Sequence, residues 1–224
     1  MSVASALSAA ERESLIEGAA RLGVELGPAA VALCAVFLDS LIFWSRSMNL
    51  VGDREREVLI RRHLVDSMAA VALIRDAALR APAIADLGSG AGMPGVPLAI
   101  ALPEARLTLF EARRKRAHFL RAVARALPGL KLKVVEQRIE DLGPSLRGSF
   151  DVVVSRAAFR SEVLLAAARP MLKPGGMVVS YRGTSALETG GSPAHTAFSP
   201  PTLHPYTLGS GRSGCLELWR LRST

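Results

Sequence analysis

The stretch Asp86-Leu-Gly-Ser-Gly-Ala-Gly-Met-Pro-Gly95 decides the fold, because it joins a strand to a helix through closely spaced glycines. The residues Ala83–Leu87 at its start have the short apolar character of a buried strand, and residues 96–102 continue as an apolar helical run. Glycines allow positive φ and let a ligand approach the backbone. Pro94 suits the first turn of a helix. The stretch therefore predicts a cofactor-binding loop between a strand and a helix.

Two cofactors are compatible with this loop. Gly90-x-Gly92-x-x-Gly95 fits the dinucleotide fingerprint, in which an acid about 20 residues further on holds a ribose, and Glu111 meets that spacing. The pattern Asp-x-Gly-x-Gly-x-Gly, which runs from Asp86 to Gly92, resembles the first motif of S-adenosylmethionine-dependent methyltransferases. Asp86 would then lie near the methionine ammonium and Glu111 on the adenosine ribose. A glycine turn without a ligand is the third interpretation, and the strand, helix and following acid together favour ligand binding.

The composition predicts a basic protein with a sizeable core. The 224 residues suit one α/β domain, and 28 Lys and Arg against 20 Asp and Glu give a formal net charge of +8, which favours a polyanion such as nucleic acid as partner. Cys34 and Cys215 stand in no metal or redox spacing, so we expect a reduced cytoplasmic compartment and no metal. Residues 28–44 are strongly apolar, but Asp39 interrupts a stretch that is short for a membrane span of about 20 residues. We therefore expect a core helix and no membrane.

The N-terminal third predicts a helical cap, residues 1–80, which forms one compact unit with a sheet domain of residues 81–224. Ser8-Ala-Ala-Glu11 is a capping box that begins a first helix, and two further helices are predicted over residues 28–44 and 55–74.

The third predicted helix concentrates polar groups around Arg62, His63 and Asp66. Arg62 has the charge to meet a phosphate. His63 and Asp66 are one helical turn apart and could face a cofactor. For His63 taken alone, a packing role between helices is the favoured interpretation.

From residue 83 strand and helix patterns alternate, which predicts a parallel sheet covered on both faces. The predicted strands are residues 83–87, 106–111, 132–135, 150–154 and 177–181, followed by a hairpin of residues 203–208 and 215–221. Residues 183–201 are rich in Gly, Ser, Thr and Pro and predict a long loop. A strand pair after the fifth strand fits the seven-stranded, Rossmann-like class I methyltransferase sheet better than a doubled dinucleotide fold.

Two sets of arginines are candidate sites for phosphate. The predicted helix of residues 113–127 carries a stripe of Arg114, His118, Arg121 and Arg125, for which solvation and RNA binding are equally open. Arg156 follows the fourth strand, where ligands lie in open α/β sheets, so it can fix a phosphate or a cofactor carboxylate.

With these residues in view, the chain resembles the RsmG (GidB) family, bacterial methyltransferases that act on guanine N7 in 16S ribosomal RNA, over roughly residues 40–183. The resemblance is carried by the glycine loop and by Met48-Asn49-Leu50, Arg62-His63-Leu64-Val65-Asp66-Ser67, Lys115-Arg116, Phe119-Leu120, Arg138-Ile139-Glu140 and Ser155-Arg156-Ala157. Arg182 stands where the family usually has lysine, and Arg212 matches the family's C-terminal arginine only loosely.

The resemblance implies a cofactor, a partner and a set of site residues. S-adenosylmethionine would be surrounded by Asp86, Gly88, Gly90, Gly92, Glu111, Ile139, Glu140 and Arg156, with Arg156 also positioning the RNA. The partner would be 16S rRNA or the small ribosomal subunit, contacted by Arg62, Arg114, Arg121, Arg125 and Arg182. Guanine N7 carries a lone pair and no proton, so methyl transfer to it needs positioning rather than a general base. The alternatives are a noncatalytic RNA-binding accessory protein and an NAD-dependent oxidoreductase.

Overall fold

The computed structural model describes residues 6–53, 55–156, 158–183, 197–209 and 211–222. Its α-helices are α1 (Ala9–Arg21), α2 (Pro28–Ser45), α3 (Arg56–Leu59), α4 (Val65–Ser67), α5 (Val71–Asp76), α6 (Gly95–Ala101), α7 (Arg114–Ala126) and α8 (Ser161–Met171). Its strands are β1 (Ala83–Leu87), β2 (Arg106–Phe110), β3 (Lys131–Val135), β4 (Phe150–Arg156), β5 (Leu172–Arg182), β6 (Thr202–Thr207) and β7 (Ser213–Arg220). Most of the predicted loop of residues 183–201 falls outside the described residues.

The strands form one sheet in the order β3-β2-β1-β4-β5-β7-β6. The first five strands are mutually parallel, and β7 runs antiparallel to both β5 and β6. This confirms the predicted seven-stranded methyltransferase sheet and its closing hairpin. One boundary differs, because β5 begins at Leu172 rather than at residue 177. Phe150 pairs with Leu172 before the register shifts, so the Pro-Gly-Gly segment lies within the strand.

Side chains from the cap and the sheet share one hydrophobic core. Leu15 of α1 and Phe37 of α2 belong to the same buried cluster as Val96 of α6 and Leu109 of β2. A second cluster lies under α8 and includes Trp219. We propose on this basis that residues 1–80 and 81–224 fold as one unit.

The predicted third helix is not a single regular helix. A π-helical turn, Ile60–Leu64, follows α3, and a 3-10 turn, Met68–Ala70, separates α4 from α5. The Ser67 hydroxyl donates to the carbonyl of His63 at 2.6 Å, a local contact that competes with regular helix pairing. The predicted helix of residues 55–74 is therefore present as one helical segment, residues 56–76, that contains a π-helical turn and a 3-10 turn.

The helix α2 is long and apolar enough to cross a membrane when judged by length and composition alone. In the structure its side chains Cys34, Phe37 and Leu41 are buried in the core shared with α6. The helix therefore packs as the core helix that its sequence predicts.

Candidate active site

The glycine loop begins directly after β1 and leads into α6. The N–H groups of Gly88 and Ser89 both donate to the carbonyl of Phe110 at 3.0 Å, which fastens the loop to the end of β2. Gly88 has a φ of +75°, and a Cβ atom there would lie 2.7 Å from that of Ala158. Only glycine therefore keeps this part of the loop in its conformation.

Asp86 lies beneath the loop and is fully buried. Its Oδ2 accepts a hydrogen bond from the N–H of Gly95 at 3.0 Å, while its Oδ1 has no partner among the described residues. Desolvation raises the pKa of this carboxyl to about 7, and the hydrogen bond from Gly95 and the charge of Arg156 oppose that rise, while the Ser89 hydroxyl donates to the main-chain carbonyl of Asp86. An unpartnered buried carboxylate oxygen suits a cationic group of a ligand.

Glu111 connects the loop to the helix that follows β2. Its Oε2 accepts from the N–H of Gly90 at 2.9 Å and its Oε1 accepts from the N–H of Arg113 at 2.8 Å. Both oxygens keep free lone pairs, which leaves the carboxylate able to accept bonds from a ribose. The structure thus adds a loop-holding contact to the predicted ribose role.

The segment after β3 reaches the same region. Ile139 and Glu140 lie in a 3-10 turn, Ile139–Asp141. Ile139 is buried in the cluster that contains Leu87 and Phe110, and Glu140 is exposed. The structure therefore brings Ile139 next to the strands that carry the loop.

Arg116 is a site residue that the sequence reasoning did not single out. A Cβ atom built on Gly90 would lie 3.6 Å from its Nη1 atom, so its guanidinium lies over the loop. Only the Lys115-Arg116 pair in the resemblance pointed to it.

Apart from the glycine loop, a pocket of about 210 Å³ opens beside the ends of β4 and β5. It is lined mainly by charged and aromatic residues, among them Arg62, His63, Asp66, Arg156, Tyr181, Arg182, Tyr206 and Arg212. Arg156 ends β4, which pairs with β1 at Asp86, so the pocket lies beside the strand that leads into the glycine loop. Tyr206 and Arg212 come from the C-terminal hairpin, and periodicity alone gave no signal for Tyr206.

Two of the arginines of this pocket, Arg156 and Arg182, are held by acids. Arg156 Nη1 lies 3.1 Å from Asp66 Oδ2, and Arg182 Nε lies 3.1 Å from Glu217 Oε2. Arg182 also donates to the hydroxyl of Ser161. These ion pairs orient the guanidinium planes, since arginine presents its donors in a rigid fork.

His63 lies in the wall of the pocket. Its Nε2 is 3.0 Å from Asp53 Oδ2, and its side chain is 19% exposed. Desolvation lowers its pKa, helped by the charge of Arg156 and opposed by Asp53 and Asp66. The ring is therefore neutral at pH 7 and is satisfied by a neighbour, in keeping with the packing role favoured from sequence.

The basic stripe of α7 is less uniform than its sequence suggests. Arg114 and Arg125 are exposed, but Arg121 Nη1 lies 2.8 Å from Glu136 Oε2. The His118 ring is 5.5 Å from that of Trp44. Arg121 is thus paired with an acid from outside the helix, the residue after β3, and the choice between solvation and RNA binding for the stripe stays open.

Within the described residues no three His, Cys, Asp or Glu side chains come together as a metal site. Cys34 and Cys215 are both buried and unpaired, and burial raises the pKa of the Cys34 thiol to about 12. A thiol with such a pKa does not act as a nucleophile at neutral pH.

The strand order, the glycine loop after β1 and the acid after β2 define a class I methyltransferase fold. The crystal structure of a precorrin-6y C5,15-methyltransferase from Geobacter metallireducens GS-15 shares this fold, with a TM-score of 0.50, 15% identity, and coverage of 69% of this chain and 87% of that one.

Sequence comparison identifies the family. The family model GidB, rRNA small subunit methyltransferase G, matches residues 31–195. Proteins named ribosomal RNA small subunit methyltransferase G are 39% identical over 170 residues in Desulfitobacterium hafniense (75% of this chain, 69% of the relative) and 38% identical over 172 residues in Polynucleobacter asymbioticus (76% and 78%). The chain belongs to the rRNA small subunit methyltransferase G family.

Proposed function

We propose that this chain transfers the methyl group of S-adenosylmethionine to N7 of a guanine in 16S rRNA, in the cytoplasm. One observation carries the proposal. A cofactor loop with two buried acids adjoins, through Arg156, a pocket lined by four arginines, and this is the pairing that a methyltransferase acting on RNA needs. The names of the relatives supply the small-subunit rRNA.

The cofactor side of the site fits S-adenosylmethionine. The unpartnered Oδ1 of Asp86 is a site for the methionine ammonium, and Glu111 keeps lone pairs for the ribose hydroxyls. Gly88 holds the loop in its tight turn, because Ala158 leaves no room for a Cβ atom there. We assign the cofactor to these residues together with Gly90, Gly92, Ile139, Glu140 and Arg156. When bound, the cofactor supplies an electrophilic methyl group on a sulfonium.

The substrate side fits RNA phosphate. Arg62, Arg156, Arg182 and Arg212 line one pocket, and guanidinium groups bind phosphate oxygens in pairs. Outside it, the exposed Arg114 and Arg125 of α7 extend the positive surface. Arg121 contributes less in this proposal because Glu136 neutralises it.

The titratable groups of the pocket fit a reaction without a general base. Asp66 accepts hydrogen bonds from Arg156 and Tyr206, which occupy both of its oxygens. Burial and the charge of Asp66 raise the pKa of Tyr206 well above its ordinary value, so this phenol stays protonated. Guanine N7 has no proton to remove, and the pocket has only to hold the base in line with the methyl group and exclude water.

The test is the position of the methyl group in the product. The purified chain is incubated with S-adenosylmethionine and either naked 16S rRNA or assembled small subunits, and the RNA is analysed by mass spectrometry and by borohydride and aniline cleavage. We expect 7-methylguanosine at one guanine, only with enzyme and cofactor together. A methyl group on guanine N2 or on ribose would contradict the N7 proposal. RNA binding without cofactor binding would favour the accessory protein, and tight NAD binding would favour the oxidoreductase.

A further inference from the structure

Asp66 joins three distant segments of the chain at the wall of the arginine-lined pocket. It lies on α4 of the cap, and its Oδ2 accepts a hydrogen bond from Arg156 Nη1 at 3.1 Å, at the end of β4. Its Oδ1 accepts a hydrogen bond from the hydroxyl of Tyr206 at 2.7 Å, on β6. The side chains of Asp66 and Arg156 are each 19% exposed. This carboxylate is therefore bonded on both oxygens and largely withdrawn from water.

The backbone around Asp66 is fixed as well. The hydroxyl of Tyr181 donates to the carbonyl of Ser67 at 2.5 Å, and the Ser67 hydroxyl donates to the carbonyl of His63 at 2.6 Å. Tyr181 belongs to β5, so the cap segment is tied to the sheet at the residue that follows Asp66, and the bond from Ser67 to His63 fixes the turn before it. The position of Asp66 is thus set by the fold and not by its contact with Arg156.

We propose that Asp66 is a positioning residue, which holds the guanidinium of Arg156 in the orientation required for methyl transfer. This inference rests on the proposed function. Arginine carries five N–H donors in one plane, and fixing Nη1 on Asp66 fixes that plane while leaving the other donors for the cofactor or the RNA. Tyr206 fixes the carboxylate in turn. Without the carboxylate, the flexible Arg156 side chain samples several rotamers, and the reacting groups lose their alignment.

The test compares Asp66→Asn with the wild type in steady-state methylation of RNA. The amide keeps the size of the side chain and an acceptor for Tyr206, but it loses the charge that holds Arg156. We expect kcat to fall by about 100-fold, the loss that a misplaced reacting group causes. The affinity for RNA should change little, because it is spread over many phosphate contacts. Wild-type kcat in Asp66→Asn would overturn the inference.

A double-mutant cycle shows whether Asp66 acts through Arg156. In an Arg156→Ala background, Asp66→Asn should cause no further loss of kcat, since there is no guanidinium left to hold. Losses that multiply independently would show that Asp66 has a separate role, and the inference would fail. If Asp66→Asn does not fold, Tyr206→Phe replaces it in the same cycle, with a smaller expected loss that also vanishes without Arg156.

Asp151→Asn is the matched control. Asp151 forms an ion pair with Lys173 at 2.7 Å, and its side chain is 16% exposed, but it lies near the start of β4, away from the pocket. It should lower thermal stability and leave kcat unchanged. If both variants lower kcat in proportion to lost stability, Asp66 is only a structural residue. If the wild type forms no 7-methylguanosine, the proposed function fails first, whereas a methylating wild type with a fully active Asp66→Asn rejects this inference alone.

Discussion

Replacing Asp86 by asparagine should make the protein more stable at alkaline pH and weaken its binding of the cofactor. Asp86 is fully buried, with one oxygen on the N–H of Gly95 and the other without a partner among the described residues. Asparagine has the same shape and can still accept the hydrogen bond from Gly95. The substitution therefore removes a buried charge and changes little else.

The magnitude follows from the pKa of the carboxyl. Burial raises it from 3.8 to about 7, which corresponds to about 4 kcal/mol of unfolding free energy. Because the folded-state pKa is the higher one, the native protein binds the proton more tightly. Stability contributed by Asp86 is thus fully present below about pH 4 and is lost as the pH rises to about 7. The unpartnered amide of asparagine costs about 1–3 kcal/mol, so the net gain at pH 8 is about 1–3 kcal/mol.

The assay is urea unfolding of both proteins between pH 4 and pH 8. The variant should be less stable than the wild type by about 1–3 kcal/mol at pH 4, where only the cost of the unpartnered amide is felt, and it should become the more stable protein as the pH rises to about 7. Calorimetry with S-adenosylhomocysteine should show an affinity lower by about 10- to 100-fold in the variant, because a hydrogen bond to a charged group is worth about 1.5–3 kcal/mol. A variant that is less stable than the wild type at pH 8, or that binds the ligand equally well, would refute the reasoning.

Three further sets of substitutions test the other parts of the site. Glu111→Ala removes the acceptor for the N–H groups of Gly90 and Arg113, and it should weaken S-adenosylhomocysteine binding by about 1–3 kcal/mol in calorimetry. Glu111→Gln should lose less affinity. Equal affinity in the wild type and both variants would contradict the ribose role. Charge reversal at Arg114 and Arg125 should weaken RNA binding and reduce its salt dependence. The same change at Arg121 should weaken RNA binding less, because Glu136 already pairs with that arginine. An unchanged dependence of RNA affinity on salt would show that the stripe is only a solvated face. His63→Ala should keep substantial turnover, because no general base is proposed. For the same reason, the turnover of the wild type should show no bell-shaped pH profile. A severe loss of turnover in His63→Ala, with intact fold and affinities, would show that His63 takes part in the chemistry.

The parts of the molecule that the sequence predicts well are those built from neighbouring residues. The loop after β1, the acid after β2 and the alternation of strands and helices all lie within single βαβ units, where spacing and periodicity determine the geometry. Asp86 and Glu111 meet the loop within a span of 26 residues of sequence, Asp86 to Glu111. The seven-stranded sheet was accordingly confirmed, and the assignment of individual site residues stays a prediction.

The features that were missed depend on contacts between distant residues. Nothing in the composition of α7 indicates that Arg121 pairs with Glu136, because that acid follows a different element. The π-helical turn at Ile60–Leu64 was also missed, since the apolar spacing of residues 55–74 matches an ordinary helix. A π-helical turn changes the phase of the residues that follow it, and Asp66 comes two residues after this one.

The cofactor loop is the part of the site that local sequence motifs predict, and the arginine-lined pocket is the part that depends on contacts between distant residues. The cofactor half is largely local, so a short motif specifies most of its residues, although the helix that follows the loop shares its core with the cap. The pocket half is assembled from α4, the ends of β4 and β5, and the C-terminal hairpin, which meet only when the whole chain has folded. A change that loosens the cap or the hairpin should therefore reduce methyl transfer before it reduces cofactor binding. Asp66 belongs to the cap and accepts a hydrogen bond from Tyr206 of the hairpin. Substitution of Asp66 is therefore the most direct way to separate the loss of methyl transfer from the loss of cofactor binding.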